Sequence, residues 1–199
     1  MNEWWSYRLR SFLLFSLRTY DRLIEDYNAQ LWPLQAVLVA VAVAGLLALA
    51  RRPSPARNRS VFAALAAAWC TVAWLFEHQR FAAINWAADY AAPLFAVQAL
   101  ALSWAALRRG VALRVESALD RLALAVAALG VAVYPLLTAC LGRSWARAEV
   151  FALMPGPTAL ATVGCLLLAK PVRKRLLVVP LLVCGFEGAL LWGLYLPAA

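Results

Sequence analysis

The sequence predicts an all-α, polytopic transmembrane helical bundle of six spans, preceded by an amphipathic helix at the membrane interface. Three observations lead there. Hydrophobic residues make up 65% of the chain, against about 45–50% in a soluble domain. They gather in six blocks, most of them near the roughly 20 residues that a helix needs to cross a bilayer. Basic residues collect in every second connection between those blocks.

Residues 1–30 form the first unit. From Arg8 to Tyr27, the residues Leu9, Leu13, Leu17, Tyr20, Ile24 and Tyr27 recur at helical spacing. Arg18, Asp21, Arg22, Glu25 and Asp26 take the other side. Such a helix rests in the outer headgroup layer, with Trp4, Trp5 and Tyr7 seated beside it. The alternative is a lid packed over the bundle mouth. No secretory leader is expected, because Glu3 interrupts the first residues and the apolar run Phe12–Phe15 is short.

Residues 31–199 form the six-helix domain. Its expected spans are Leu31–Ala50, Ser60–Glu77, Ala91–Leu107, Arg121–Leu141, Val150–Ala169 and Leu176–Leu196. Arg51, Arg52, Arg57 and Arg59 follow the first span, and Arg108, Arg109, Arg114 and Arg121 the third. Lys170, Arg173, Lys174 and Arg175 follow the fifth. These turns hold twelve of the 19 basic residues. The positive-inside rule puts them in the cytoplasm and both termini outside. The net charge of +9 is thereby a topology signal, and nucleic acid is not an expected partner. Pro33, Pro93 and Pro157 each stand near the outer start of an inward-running helix, where a missing N–H costs little. The chain can therefore be read as three tandem hairpins, although any set of hairpins with alternating charge looks periodic.

The fifth span is irregular. Met154-Pro155-Gly156-Pro157 interrupts it and leaves the 12 residues Thr158–Ala169, about 18 Å of helix for roughly 30 Å of hydrocarbon. Either the helix is tilted behind its neighbours or its outer part is re-entrant and non-helical. Such backbone is tolerated only inside protein or along a wet cavity. A plain proline-rich outer loop is the simpler reading.

Glu187 is the sharpest single residue. It lies 12 residues beyond Arg175, about 18 Å along a helix and so near the membrane midplane. A carboxylate there costs about 2.5–3.5 kcal/mol, and such groups face the bundle interior or a cavity. Gly185, Ala189 and Gly193 form a small-residue stripe on the opposite face, suited to close helix contact or a homodimer seam. Glu187 is then a proton carrier or cation ligand, or a structural group bonded to Gln98, Thr71 or Thr162.

A second cluster gathers at the outer rim. Glu77, His78 and Arg80 end the second span, with Asn85, Trp86 and Asp89 in the loop that follows. Arg143, Trp145, Arg147 and Glu149 lie between the fourth span and the broken one, which begins its helix at Thr158. Charges and aromatic faces together suit a substrate vestibule; they are also what an aromatic belt and helix caps produce. Asp89, for instance, is placed to cap the third span.

Cys70, Cys140, Cys165 and Cys184 stand singly in different spans. Zinc and redox motifs need local pairs, so they read as small apolar residues. His78 is the one histidine, too little for a zinc site. No cofactor or metal is expected.

Several short motifs are similar to a bacterial integral-membrane family known only as a domain of unknown function. They are Glu3-Trp4-Trp5-Ser6-Tyr7, Tyr27-Asn28, Trp32-Pro33, Ile84-Asn85-Trp86, Gly142-Arg143-Ser144-Trp145, Ala148-Glu149-Val150-Phe151 and Pro155-Gly156-Pro157-Thr158. The resemblance implies a six-helix protein of the bacterial inner membrane and supplies no activity. Three readings stay open: a small-solute or ion permease using the vestibule and Glu187, a non-transporting accessory subunit whose outer face docks a partner, and an interfacial enzyme using Glu77 and His78 as a base pair.

Overall fold

A computed structural model describes residues 15–51, 54–108, 111–140 and 142–195. Among the described residues the secondary structure is helical apart from one ribbon of two-residue strands. Helix α1 spans Leu17–Leu31, α2 Leu34–Arg51, α3 Pro55–Thr71 and α4 Ala88–Leu107. Then come α5 (Ala118–Ala128), α6 (Tyr134–Cys140), α7 (Pro155–Leu167) and α8 (Lys174–Tyr195). A π-helical segment, Val72–His78, continues α3, and another, Leu129–Val133, joins α5 to α6.

Among the described residues, five stretches are long and apolar enough to cross a membrane: Leu34–Arg51, Pro55–Ala83, Ala88–Leu107, Ala118–Thr138 and Lys174–Leu194. They match five of the six expected spans, with ends shifted by a few residues. The bundle turns large apolar side chains outward, among them Val41, Val97, Leu100, Leu122, Leu182 and Trp192. A water-facing surface rarely carries so much contiguous apolar area.

The expected span Val150–Ala169 differs. Its helix is α7, 13 residues long and about 20 Å in length, and the segment before it is not a plain outer loop. Val150, Phe151, Ala152, Leu153 and Met154 are all buried, as is nearly every residue of α7. Enclosure by protein makes irregular backbone tolerable in an apolar setting. Thr158 provides the local bonds: its hydroxyl accepts from the Ala152 amide at 2.9 Å and donates to the Met154 carbonyl at 2.7 Å. Ala152 takes a positive φ of 67°, and the threonine holds that turn. One turn on, the Thr162 hydroxyl donates to the Thr158 carbonyl and accepts from the Trp69 indole of α3 at 3.0 Å.

Helix α7 packs against α3, α5 and α8. Two glycines let it reach the α5 segment. A Cβ on Gly164 would stand 2.3 Å from the Ala127 nitrogen and 2.6 Å from the Ala123 carbonyl oxygen. One on Gly130 would stand 2.5 Å from the Ala161 nitrogen. By contrast Gly185, in the stripe read on the sixth span, has nothing within 4 Å of that position. Gly185 and Ala189 are exposed, while Gly193 is buried.

The described parts of the basic turns lie at one end of the bundle. Strands β1 (Ala112–Leu113) and β2 (Ala169–Lys170) pair antiparallel, tying the second basic turn to the third. Lys170 meets Asp120 at 2.6 Å, and Asp120 also closes a capping box with Ser117 at the start of α5. Helix α1, the 78–89 connection and the 142–154 segment occupy the opposite end.

Helix α1 turns Tyr20, Asp21, Ile24, Tyr27 and Asn28 toward protein. Tyr27 packs on Phe76, and Tyr20 and Phe15 pack on Phe81. Arg18, Arg22 and Asp26 stay exposed. The part of this helix expected before residue 15 lies outside the described residues.

Gly164→Ala and Gly130→Ala should each force helix backbones apart, lowering stability by about 1–3 kcal/mol. Gly185→Ala should stay within about 0.5 kcal/mol of wild type. Melting in one detergent ranks the three; equal effects would refute the close approach.

Candidate functional site

The site grows from the way α3 ends. Its last turns widen into the π segment Val72–His78, and such turns often occur at functional positions. One inserted residue corresponds to about 100° of rotation, so the widening re-aims the side chains beyond it. Glu77 is thereby turned inward and is 3% exposed. Its neighbour His78 is half-exposed, packs at a tilt on Trp74 and bonds Asp89 at 3.1 Å. Adjacent in sequence, the two serve different faces.

Glu77 lines a cavity of about 250 Å³ between the π segment, α4 and α8. Asn85 and Glu187 line it too, and the rest is apolar, including Phe81, Phe95 and Phe186. Glu187 is 6% exposed, and its Oε2 has no hydrogen-bond partner among the described residues. The three partners considered from sequence are committed elsewhere. Gln98 donates to the Leu176 carbonyl at 3.0 Å, Thr71 to the Ala67 carbonyl, and Thr162 to the Thr158 carbonyl. The Asn85 Oδ1 accepts from the Ala87 amide at 3.2 Å.

A third carboxyl, Glu149, stands within electrostatic reach of Glu187, as Glu77 does. Glu149 is well partnered. The Tyr20 hydroxyl reaches its Oε1 at 3.3 Å, and the Tyr134 hydroxyl also bonds it. Gly156 leaves room for this contact: a Cβ there would stand 2.8 Å from the Tyr134 hydroxyl. Burial pushes the Glu149 carboxyl above its ordinary range, and the nearby Arg143 charge acts against that.

Over Glu149 lies an ionic clamp. Asp21 of α1 meets Arg143 and Arg147, each at 2.9 Å, and Glu25 meets Arg147 at 2.6 Å. The Asn28 amide donates to the carbonyls of Ala146 and Ala148 at 2.8 and 2.9 Å. Arg80 bonds Gln30 at the end of the same helix. Arg143 and Asp21 are largely shielded from solvent, so removing one partner costs more here than at a surface ion pair.

The residues singled out from sequence thus divide into groups. Glu77, Asn85 and Glu187 share the cavity. Arg143, Arg80 and Glu149 are bound up with α1. His78 and Asp89 pair at the surface, and Trp86 is exposed beside Tyr90. Thr158 holds the turn before α7, and Gln98 anchors α8. Sequence reasoning missed Tyr20, Tyr134, Asp21, Glu25 and Asn28 as parts of this arrangement. Asp21, Glu25 and Asn28 fall at i, i+4 and i+7, one helical face, and that stripe was readable. Tyr134 lies in an apolar run that marks no role for it. Among the described residues, no three His, Cys, Asp or Glu side chains are grouped to hold a metal ion.

The chain belongs to a family of unknown function, DUF6064, whose model matches residues 18–195. No curated protein and no solved structure matches it.

Asp21→Asn should loosen α1 at a cost of about 3–5 kcal/mol. Amide exchange over residues 17–31 should rise while exchange in α7 stays slow; unchanged exchange in α1 would rule the clamp out. Glu149 supplies a pH test. Its raised folded value means that the folded protein keeps a proton which the unfolded chain releases. That contribution is present in acid, below the ordinary glutamate range, and is lost as pH rises. Glu149→Gln should therefore gain melting temperature relative to wild type as pH rises above the ordinary glutamate range. A gap independent of pH would contradict the burial argument.

Proposed function

We propose that this protein is a small carrier of the bacterial inner membrane, with Glu187 and Glu77 as its exchange groups. The carrying observation is the unpartnered Glu187 Oε2 in a cavity that also holds Glu77. Glu187 lies about 18 Å along α8 from Arg175, deep enough that ionisation without a counter-charge is costly. A proton or a bound cation relieves that cost, and alternation between them is the basis of exchange. Short, interrupted helices are where carriers tend to build such sites, and α7 packs against α8, the helix that carries Glu187.

In this reading the basic end faces the cytoplasm and both termini lie outside. Helix α1 rests at the outer interface, its exposed Arg18, Arg22 and Asp26 toward headgroups and its other face closing the mouth. A sixth crossing is completed by α7 together with the buried segment before it.

The accessory-subunit reading draws on a different observation. Helix α2 fully buries only Leu49; Leu38, Ala42 and Leu46 pack partly on the core, while Val37, Val41 and Leu47 are open to lipid or to a partner. A stoichiometric partner retained on purification and lost when α2 is resurfaced, with Glu187→Gln silent, would favour it.

In proteoliposomes, wild type should dissipate an imposed pH gradient faster than empty vesicles, and Glu187→Gln should slow this by about ten-fold or more. Infrared difference spectra of wild type against Glu187→Gln should show a carboxyl band that responds to pH. A folded Glu187→Gln protein that dissipates the gradient as fast as wild type would end the carrier reading.

A further inference from the structure

We propose that the cavity between α4 and α8 binds a lipophilic cation, an amine or quaternary ammonium bearing apolar groups, drawn sideways from the bilayer. This rests on the carrier reading and names its solute class.

The lining selects the charge. It holds two carboxyl groups, Glu77 and Glu187, and no lysine, arginine or histidine. The nearby Arg80 is bonded to Gln30 instead. A cation would supply the buried Glu187 Oε2 with the partner it lacks. An anion would meet only like charge.

The lining also selects the body of the ligand. Apart from the two acids and Asn85, every lining residue is apolar. A strongly hydrated metal ion wants six or more oxygen ligands in place of its water, and these walls offer few. A sugar or zwitterion would leave most of its polar groups unpaired. Apolar substituents would bury well, and Phe81, Phe95 and Phe186 bring three rings to the lining, whose faces attract cations. The volume of about 250 Å³ equals roughly eight waters of liquid, enough for a ring or a short branched group.

The route is read from exposure. Leu94, Leu182 and Phe186 line the cavity, yet they are 42%, 62% and 57% exposed on the outer surface of the bundle. Residues that face both ways form a mouth. Here it opens between two spans, toward lipid tails, while α1 packs on Phe81 at the end of the bundle. A lipid tail alone could enter by the same mouth but would offer Glu187 nothing.

The test uses the full chain in zwitterionic nanodiscs, titrated by calorimetry with benzyldimethyldodecylammonium; empty discs and the uncharged benzyl dodecyl ether serve as references. Wild type should bind the cation saturably beyond partitioning into lipid. Glu187→Gln should weaken binding at least about ten-fold, and Glu187→Asp should restore it to within about three-fold. Leu94→Trp, which narrows the mouth, should weaken it as well. The proposal is overturned if the cation only partitions as it does into empty discs, or if the ether binds equally well and Glu187→Gln changes nothing. If the cation merely partitions while the Glu187 band still responds to pH and protons are still exchanged, this inference falls and the carrier reading stands. If both are silent, both fall.

Discussion

Helix α7 is shorter than the five membrane-length stretches of the described chain, yet it is nearly wholly buried. Its 13 residues make about 20 Å of helix, and the buried segment before it is irregular backbone. In an apolar medium each unpaired N–H or C=O is costly, so that backbone must be enclosed. Much of the fold follows. Helices α3, α5 and α8 pack around α7, and Gly130 and Gly164 permit approaches that a side chain would block. Thr158 closes the turn from within. The 142–149 segment, which feeds into it, is held from outside by Asp21, Glu25 and Asn28 of α1.

That enclosure also sets the positions of the carboxyl groups. Glu149 begins the irregular segment and Glu187 lies on a neighbour of α7, so a bundle drawn tightly around α7 brings the two within electrostatic reach. Glu77 joins them because the π segment of α3 departs from regular helical register. Three acids thus converge from elements whose shapes answer a backbone problem. Their convergence is a consequence of packing, and the polar groups around each then decide what it can do.

The bundle was legible in outline because its signals are collective. Apolar block length and charge alternation are sums over many residues, and they located five long helices closely. The interruption at Met154–Pro157 marked α7 as unusual, since proline and glycine act on the local backbone directly. Glu187 and Glu77 were visible as acids in apolar surroundings. Their meeting at one cavity was not, because it depends on the π turn, and Val72–His78 carries no residue that announces one. The clamp was half readable: the acidic stripe on α1 was in plain view, but its partners Arg143 and Arg147 lie more than a hundred residues away. Tyr134 gave no sign, because a tyrosine in an apolar span is ordinary until the carboxyl it meets is known.

The contrast between Glu149 and Glu187 carries the functional argument further than either residue alone. Both are buried. Glu149 has two phenol hydroxyls within reach and Arg143 nearby, which is how a fold retains an acid for structural use. Glu187 sits on apolar helix surface with an oxygen left unpartnered, although Gln98 and Thr162 were within the chain's means to supply. A purely structural acid in that place would be replaced at a gain by leucine, since an unsatisfied buried group costs more than an apolar one of similar shape. On the carrier reading proposed above, a proton or a cation offsets that cost. The cavity beside Glu187, apolar except for acids and an amide, suits a cation with apolar groups in that reading.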